Sequence, residues 1–199
     1  MVAEQIRARG VRDDRVLDAL ERVPRDLFVP QALRHDAYGD HPVAIGHGQT
    51  ISQPYIVGYM TEALRLERSH RVLEIGTGCG YQTAILAEIA AEVFSVELIP
   101  ELAERAFETL TGLGYTNITL RTGDGYEGWP EHAPYDGILG AAAAEAVPQT
   151  LIDQLADGGI LVMPVGTAYQ DLKVVQKRGT KTETLATLPV RFVPMVKKG

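Results

Sequence analysis

The residues best suited to chemistry begin with a loop in which glycine occupies every second position, at Gly76, Gly78 and Gly80. The apolar run 72–75 before it is typical of a β-strand. Alternating glycines let a chain leave a strand sharply, with no Cβ in the way of a bound group, and the loop amides can face that group. Glu97 ends the next strand-like run, and its carboxylate can accept both hydroxyls of a ribose. The pairing indicates a site for a nucleotide-type cofactor.

The spacing of the glycines distinguishes between cofactors. The NAD-binding fingerprint is G-x-G-x-x-G, but Tyr81 stands where its third glycine belongs. Glu74, just before the loop, would repel a pyrophosphate and attract an ammonium or sulfonium group. We therefore expect the cofactor to be S-adenosyl-L-methionine, with S-adenosyl-L-homocysteine as its product. The alternative is a tight turn between strand and helix that binds no ligand.

A third strand-like run, 117–121, ends close to Gly123, Asp124 and Gly125. In a nucleoside pocket the Asp124 carboxylate can accept a hydrogen from the adenine amino group, and the Gly125 amide can donate to a ring nitrogen. Aspartate and glycine also favour solvated turns, which is the alternative interpretation. Three acidic or glycine-rich strand ends in succession favour a binding site.

Helices and strands that position these residues follow one another along the chain. Helices are predicted from Asp13 to Arg22, near Gln31 to Ala37, and from Tyr55 to Leu66. Residues 38–53 show no periodicity, and loops of this length inside a compact domain are usually functional. Strands are then predicted at 71–75, 93–97, 117–121, 135–140 and 159–164, and helical stretches at 80–90, 100–112 and 148–156.

This alternation predicts an α/β fold with a doubly wound, Rossmann-like parallel sheet. The ligand site of such a sheet lies at the carboxyl ends of the strands, near the point where the strand order reverses. After Pro164 the chain is predicted to be all β, with strands at 172–176 and 190–193 separated by a turn around Gly179, added antiparallel to one edge. We expect one domain over 1–199, made of N-terminal helices and a loop (1–66), a cofactor-binding core (67–166) and a C-terminal β extension (167–199).

The composition of the chain indicates which kinds of partner and which compartment to expect. The 19 basic and 26 acidic residues give a formal net charge of −7, which argues against binding nucleic acid through phosphate contacts. No apolar run approaches the roughly 18 residues of a membrane span, and the first residues lack the apolar core of a signal peptide. The single cysteine, Cys79, cannot form an internal disulfide. We expect a cytoplasmic protein, and a monomer, with no nucleic-acid or membrane partner.

The segment 45–54 (IGHGQTISQP) closely resembles the signature of the protein-L-isoaspartate O-methyltransferases. Segments 72–80, 123–125 and 133–136 are similar to the family's motifs at successive strands, and 155–166 and 191–194 resemble its later segments. The resemblance covers nearly the whole chain. Cys79 stands where many members have serine, and Ala144 where the motif after the fourth strand usually has proline.

The resemblance implies that a methyl group passes from S-adenosyl-L-methionine to the α-carboxylate of an L-isoaspartyl residue in a damaged protein or peptide. The methyl ester then closes to a succinimide, which reopens partly to normal aspartate. A carboxylate has a reference pKa of about 4, so the acceptor is already ionised and no general base is needed. The site must instead orient the acceptor and remove its water.

The same resemblance assigns the site residues. Ser52 aligns with the family's catalytic serine, whose hydroxyl can donate to the acceptor carboxylate; a serine that caps the following helix is the alternative. Substrate contacts are expected from Thr50, Gln53 and Val193. Cofactor contacts are expected from Glu74, Gly76, Thr77, Gly78, Gly80, Glu97, Leu98, Asp124 and Gly125, with Ala141, Ala142 and Ala143 leaving room beside the sulfonium.

The sequence is also compatible with other classes of function. The five histidines show no spacing that would hold zinc, and no metal site is expected; His47 is interpreted as a variable loop position. A methyltransferase of small carboxylates would share the cofactor site but ignore peptides. An NAD-dependent oxidoreductase is disfavoured by Tyr81, and a cofactor-binding sensor would show no turnover with any acceptor.

Overall fold

One seven-stranded sheet and a separate two-stranded hairpin organise the structure, a computed structural model that describes residues 1–197. The strands are β1 (Val43–Gly46), β2 (Gln49–Ile51), β3 (Arg71–Ile75), β4 (Glu92–Glu97), β5 (Ile118–Thr122), β6 (Tyr135–Gly140), β7 (Leu155–Gly166), β8 (Gln170–Arg178) and β9 (Lys181–Val190). The α-helices are α1 (Asp14–Arg22), α2 (Pro54–Ala63), α3 (Tyr81–Ala87), α4 (Pro100–Gly112) and α5 (Gln149–Gln154).

The order of the large sheet is β5-β4-β3-β6-β7-β8-β9. The strands from β5 to β7 are parallel, whereas β8 pairs antiparallel with β7 and β9 antiparallel with β8. The order reverses between β3 and β6, because the chain leaves β3 towards β4 on one side and returns to β6 on the other. The predicted doubly wound parallel sheet with an antiparallel addition at one edge is confirmed.

Strand alternation divides the core between the two faces of the sheet. Val72 and Val93 belong to a buried cluster with side chains of α1, α2, α3 and α4. Leu73 and Phe94 belong to a second cluster with Trp129 and the side chains of α5. Helices α3 and α4 connect neighbouring parallel strands on one face, and α5 covers the other, as right-handed crossovers in opposite directions require.

The region 38–53, predicted to lack regular structure, contains the hairpin formed by β1 and β2. Its turn passes through Gly46, His47 and Gly48, all with positive φ. Because the hairpin strands are short and separated by a glycine-rich turn, they have too few residues to show alternation in the sequence. The predicted helix 31–37 is a 3-10 helix, Gln31–Asp36, and a short π-helix, Val2–Ile6, was not predicted.

The end of the chain corrects a further prediction. The strand predicted at 190–193 is wrong, because β9 ends at Val190. Within residues 1–197 no strand pairs with the outer edge of β9, and much of the strand is exposed, so its polar sequence hides the strand period. Beyond it the chain returns to the parallel part of the sheet: the Val193 carbonyl accepts from the Ala143 amide at 2.8 Å, and the Met195 amide donates to the Ala143 carbonyl at 2.7 Å. The turn predicted at Gly179 connects β8 and β9.

Aspartate and asparagine side chains tie several connections to the backbone. The Asn117 amide donates to the carbonyls of Ala87 and Ala90, at 3.0 and 3.2 Å. Three aspartates that directly precede a glycine each accept a backbone amide: Asp124 from Tyr126 at 2.8 Å, Asp136 from Arg71 at 2.8 Å and Asp157 from Gly179 at 2.6 Å. These bonds hold the chain at both ends of the parallel strands.

Candidate active site

A cavity of about 220 Å³ lies at the carboxyl ends of β3 and β4, beside the point where the strand order reverses. Its lining joins four distant parts of the chain. They are the hairpin and the residues after it (Gln49, Thr50, Ile51, Ser52, Val57), the region from β3 to the loop after β4 (Ile75, Gly76, Thr77, Gly78, Cys79, Tyr81, Gln82, Val96, Glu97, Leu98, Ile99), the loops after β5 and β6 (Gly125, Ala141, Ala142) and the returning chain (Val193, Pro194, Met195, Val196).

The glycine loop forms one wall because its backbone is held from both sides. The Gly76 amide donates to the Val96 carbonyl at 2.8 Å, and the Gly80 amide donates to the Thr77 carbonyl at 2.9 Å. Gly76 has a φ of 92° and Gly80 a φ of 89°, conformations that a residue with a Cβ adopts only at a cost. Gly80 does not line the cavity; it packs against the side chains of α4 and starts α3.

Glu97 is the residue that the sequence predicts to bind the ribose hydroxyls. Its side chain lines the cavity and is only 6% exposed. Oε2 accepts from the Gly78 amide at 2.8 Å, and Oε1 accepts from the Ile99 amide at 3.0 Å. A carboxylate offers about four lone-pair sites, so two amides leave capacity to accept hydroxyl groups. Glu97 therefore holds the glycine loop and presents an acceptor to the cavity.

Glu74 does not line the cavity. Since alternate strand residues face opposite sides of the sheet, its side chain lies under α3 and is fully buried. Oε2 accepts from the hydroxyls of Thr83 at 2.5 Å and Ser95 at 2.6 Å, and the Thr77 and Ser95 hydroxyls are 2.6 Å apart. Burial raises the pKa of Glu74 to about 7, although both hydroxyls oppose this shift. Glu74 anchors the loop from behind, through the hydroxyl of Ser95 and then that of Thr77.

Gly125, which the sequence predicts to contact adenine, lines the cavity, and its position has no room for a side chain. A Cβ there would lie 2.3 Å from Ile75 Cγ2 and 2.9 Å from Met195 Cε. Asp124 is not part of the lining; its carboxylate accepts from the Tyr126 amide and caps the 3-10 turn Gly125–Glu127. Within the chain, the Asp124 carboxylate thus stabilises a turn, which is the alternative to adenine binding that the sequence offers.

The residues predicted to contact the methyl-accepting substrate lie on or near the hairpin side of the cavity. Ser52 and Thr50 line it. Gln53 does not; its amide donates to the carbonyl and the carboxylate of Asp40, at 3.0 and 2.9 Å. Gln53 also occupies the N-cap position of α2, so the alternative in which Ser52 caps that helix is wrong. Within residues 1–197, the Ser52 hydroxyl has no hydrogen-bond partner.

Behind this wall lies Arg25, a residue that the sequence interpretation missed. Its side chain is fully buried; Nε donates to the Ala37 carbonyl at 2.6 Å and Nη2 to the Ser52 carbonyl at 2.7 Å. The guanidinium carbon is 4.9 Å from the centre of the Tyr81 ring. Arginine is ordinarily a surface residue and no pattern near Arg25 marks it as buried, so the sequence held no signal for it.

Some of the other residues considered in the sequence line the cavity and others do not. Val193, Leu98, Ala141 and Ala142 line the cavity, whereas His47 and Ala143 do not. In the part of the chain that the structure describes, no three His, Cys, Asp or Glu side chains come together in a way that could hold a metal ion.

The residues at this site fit S-adenosyl-L-methionine. Glu97 supplies a buried acceptor, Leu98 and Ile99 an apolar wall, and the loop before α3 a surface without side chains at its glycines. A crevice at the reversal of a doubly wound sheet is where such folds bind nucleotides. The fold and the site define a class I S-adenosyl-L-methionine-dependent methyltransferase.

The chain belongs to the protein-L-isoaspartate(D-aspartate) O-methyltransferase family, whose model matches residues 1–199. It is 60% identical over 195 residues to the protein-L-isoaspartate O-methyltransferase of Picosynechococcus sp. (98% of this chain, 88% of that one). It is 54% identical over 197 residues to that of Methanoculleus marisnigri (98% and 90%). A Plasmodium falciparum structure described as such an enzyme, in complex with S-adenosyl-L-homocysteine, matches with a TM-score of 0.84 at 26% identity (99% and 97%).

Proposed function

We propose that this enzyme methylates the α-carboxylate of L-isoaspartyl residues in damaged proteins, and that Ser52 orients that carboxylate. The observation that carries the assignment of Ser52 is its position. The residue lines the same cavity as Glu97, on the hairpin side, and its hydroxyl has no partner within the described chain. A hydroxyl on a cavity wall with no partner in the chain is available to an incoming acceptor.

We propose that some of the predicted cofactor residues contact the cofactor directly and that others hold the loops that do so. We assign Glu97 to the ribose hydroxyls, the loop of Gly76, Thr77 and Gly78 to the methionyl end, and Leu98 with Gly125 to the adenine. Their positions in the cavity lining support these roles. Glu74, Gly80 and Asp124 lie outside the lining, and we propose that they hold the loops in place.

The chemistry places few acid-base demands on the protein. When bound, S-adenosyl-L-methionine supplies an electrophilic methyl group on a positively charged sulfur. The acceptor carboxylate is ionised at neutral pH, so no side chain has to remove a proton. Ser52 donates a hydrogen bond that fixes the direction of the carboxylate, and buried apolar lining residues such as Val57 exclude water.

Two stretches of chain beside the cavity are suited to hold the peptide. Thr50 on β2 is exposed and lines the cavity from one side, and Val193 lines it from the returning chain. Damage arises in many sequence contexts, so recognition has to depend mainly on backbone groups. We propose that the peptide lies between these two stretches, with the isoaspartyl carboxylate towards Ser52.

The decisive experiment incubates the enzyme with labelled S-adenosyl-L-methionine and an isoaspartyl peptide, beside the same peptide with normal aspartate. We expect a base-labile methyl ester on the isoaspartyl peptide alone. No ester on that peptide would refute the proposed function. Methylation of small carboxylates without methylation of the peptide would favour the metabolite methyltransferase instead.

Ser52→Ala tests the proposed orienting hydroxyl. A hydrogen bond to a charged group contributes about 1.5 to 3 kcal/mol, so we expect kcat/KM for the isoaspartyl peptide to fall by about ten- to a hundredfold. The Kd for S-adenosyl-L-homocysteine should stay within about twofold, because the cofactor side is untouched. Ser69→Ala, at an exposed serine in a turn, is the matched control. Equal turnover of Ser52→Ala and wild type would remove Ser52 from this role.

We further propose that the enzyme acts in the cytoplasm as a monomer and binds no nucleic acid. The acidic balance of −7 supports the last point. None of the helices within residues 1–197 combines the length and apolarity needed to cross a membrane. Size-exclusion chromatography with light scattering measures the oligomeric state directly.

A further inference from the structure

The guanidinium of Arg25 is a buried positive charge without an acidic partner. The side chain is 0% exposed, and no carboxylate within the described residues forms an ion pair with it. Its two hydrogen bonds go to neutral backbone carbonyls, of Ala37 and Ser52, and Nη1 has no hydrogen-bond partner. A buried charge with no opposite charge beside it is costly, and within the described chain only the two carbonyls and the ring of Tyr81 offset that cost.

Arg25 lies directly behind two residues that line the cavity. One is Ser52, whose carbonyl it binds at 2.7 Å; the other is Tyr81, whose ring centre lies 4.9 Å from its guanidinium carbon. The bond to Ser52 fixes the backbone from which the Ser52 hydroxyl projects. The bond to Ala37 fixes the guanidinium itself, because its planar fork of donors is held at two points.

The acceptor enters this wall as an anion that must lose its water. A positive charge fixed behind a low-dielectric wall attracts an anion more strongly than the same charge in solvent. We infer that Arg25 is a positioning and specificity residue: it fixes Ser52 and gives the hairpin side of the cavity the positive potential that selects a carboxylate acceptor. This inference rests on the proposed function, in which Ser52 receives the isoaspartyl carboxylate.

Arg25→Met and Arg25→Lys test the inference. Methionine removes the charge and both hydrogen bonds, whereas lysine keeps the charge. We expect Arg25→Met to raise KM for the isoaspartyl peptide by about tenfold or more, the scale of a lost interaction with a charged group. The Kd for S-adenosyl-L-homocysteine, measured by calorimetry, should stay within about twofold. Arg25→Lys should recover part of the loss in KM.

Arg105→Met is the matched control. Arg105 is exposed, and its Nη2 donates to the Ile45 carbonyl at 2.8 Å, so the variant removes another guanidinium–carbonyl bond to the hairpin. KM should change by less than about twofold. Thermal melting with and without S-adenosyl-L-homocysteine shows whether each variant is folded.

The inference is overturned if folded Arg25→Met has the wild-type KM, or if its acceptor and cofactor affinities fall together. It is also overturned if lysine is no better than methionine, or if neither variant folds, because Arg25 would then serve the fold alone. A wild-type enzyme that fails to methylate the isoaspartyl peptide refutes the proposed function instead, so the two failures are distinguishable.

Discussion

At the scale of single residues, Glu97 combines a structural and a binding role in one carboxylate. It accepts the amides of Gly78 and Ile99 and still faces the cavity. Glu97→Gln keeps one acceptor oxygen and introduces an amide donor against a backbone amide. We expect the Kd for S-adenosyl-L-homocysteine to rise by the equivalent of about 1 to 3 kcal/mol. Glu92→Gln, at the exposed start of the same strand, should leave this Kd unchanged, and an equal Kd in both variants would contradict the role of Glu97.

Glu74 predicts a pH dependence of stability. Burial raises its pKa from 4.5 to about 7, so the folded protein binds a proton that the unfolded chain has already lost over this interval. Stability from this group is therefore highest below about pH 4.5 and falls as the pH rises through 7, by about 3 kcal/mol.

Glu74→Gln cannot ionise, so its free energy of unfolding should rise relative to wild type by about 3 kcal/mol between pH 4.5 and 7.5. Urea unfolding at several pH values measures the difference. Glu104→Gln, an exposed glutamate on α4, is the control. A constant difference between Glu74→Gln and wild type across this range would show that Glu74 does not titrate as a buried acid.

The direction of a side chain is harder to predict from the sequence than its position along a strand or helix. Glu97, which ends β4, and Gly125, in the loop after β5, both line the cavity, because the carboxyl ends of parallel strands meet at one edge of the sheet. Glu74 and Gln53 were placed at the ligand, yet one points under α3 and the other binds Asp40. Sequence spacing gives the position of a residue along an element, but the direction of its side chain depends on partners that fold against it.

At the scale of elements, the loop after β5 approaches β3 and the returning chain so closely that only glycine fits at position 125. A Cβ would lie 2.3 Å from Ile75 Cγ2. Gly125→Ala should destabilise the protein by about 1 to 3 kcal/mol through overpacking and weaken S-adenosyl-L-homocysteine binding, as chemical unfolding and calorimetry would measure. Gly112→Ala, where a Cβ meets nothing within 4 Å, is the control. Unchanged stability and binding in Gly125→Ala would show that the loop adapts freely.

How well a strand can be located from the sequence depends on how much of its surface is buried. Strands β3, β4 and β6 are buried on both faces, so their apolar runs were located to within about two residues. The hairpin and β9 lie at the periphery, where a strand can be polar without losing its pairing. Sequence patterns report burial, and an element with little buried surface leaves little pattern.

At the scale of the whole molecule, cofactor binding links the walls of the cavity to global stability. A ligand at about 100 times its Kd stabilises the folded state by about 2.7 kcal/mol. For a chain of this size we expect S-adenosyl-L-homocysteine to raise Tm by about 5 to 10 °C. NAD, tested in the same thermal melt, should have no effect. A shift with NAD and none with S-adenosyl-L-homocysteine would contradict the cofactor assignment.

The overall architecture was the most predictable level, because alternating helices and strands allow few topologies. The meeting of residues near Ser52 with the returning chain near Val193 was expected only through family resemblance. Long-range contacts of this kind depend on where β8 and β9 lead the chain, and the sequence left their order open. That the chain forms one domain stays a prediction.

The anchored aspartates and asparagine have a consequence for how this enzyme itself ages. Spontaneous formation of an isoaspartyl link requires the side-chain carbonyl carbon to reach the next backbone nitrogen, and glycine is the following residue that hinders this least. Asn117 is the only asparagine in the sequence, and Asp124, Asp136 and Asp157 are the aspartates followed by glycine. All four side chains are held by hydrogen bonds to the backbone. We therefore expect these bonds to restrain, in the enzyme's own chain, the rearrangement whose products the family repairs.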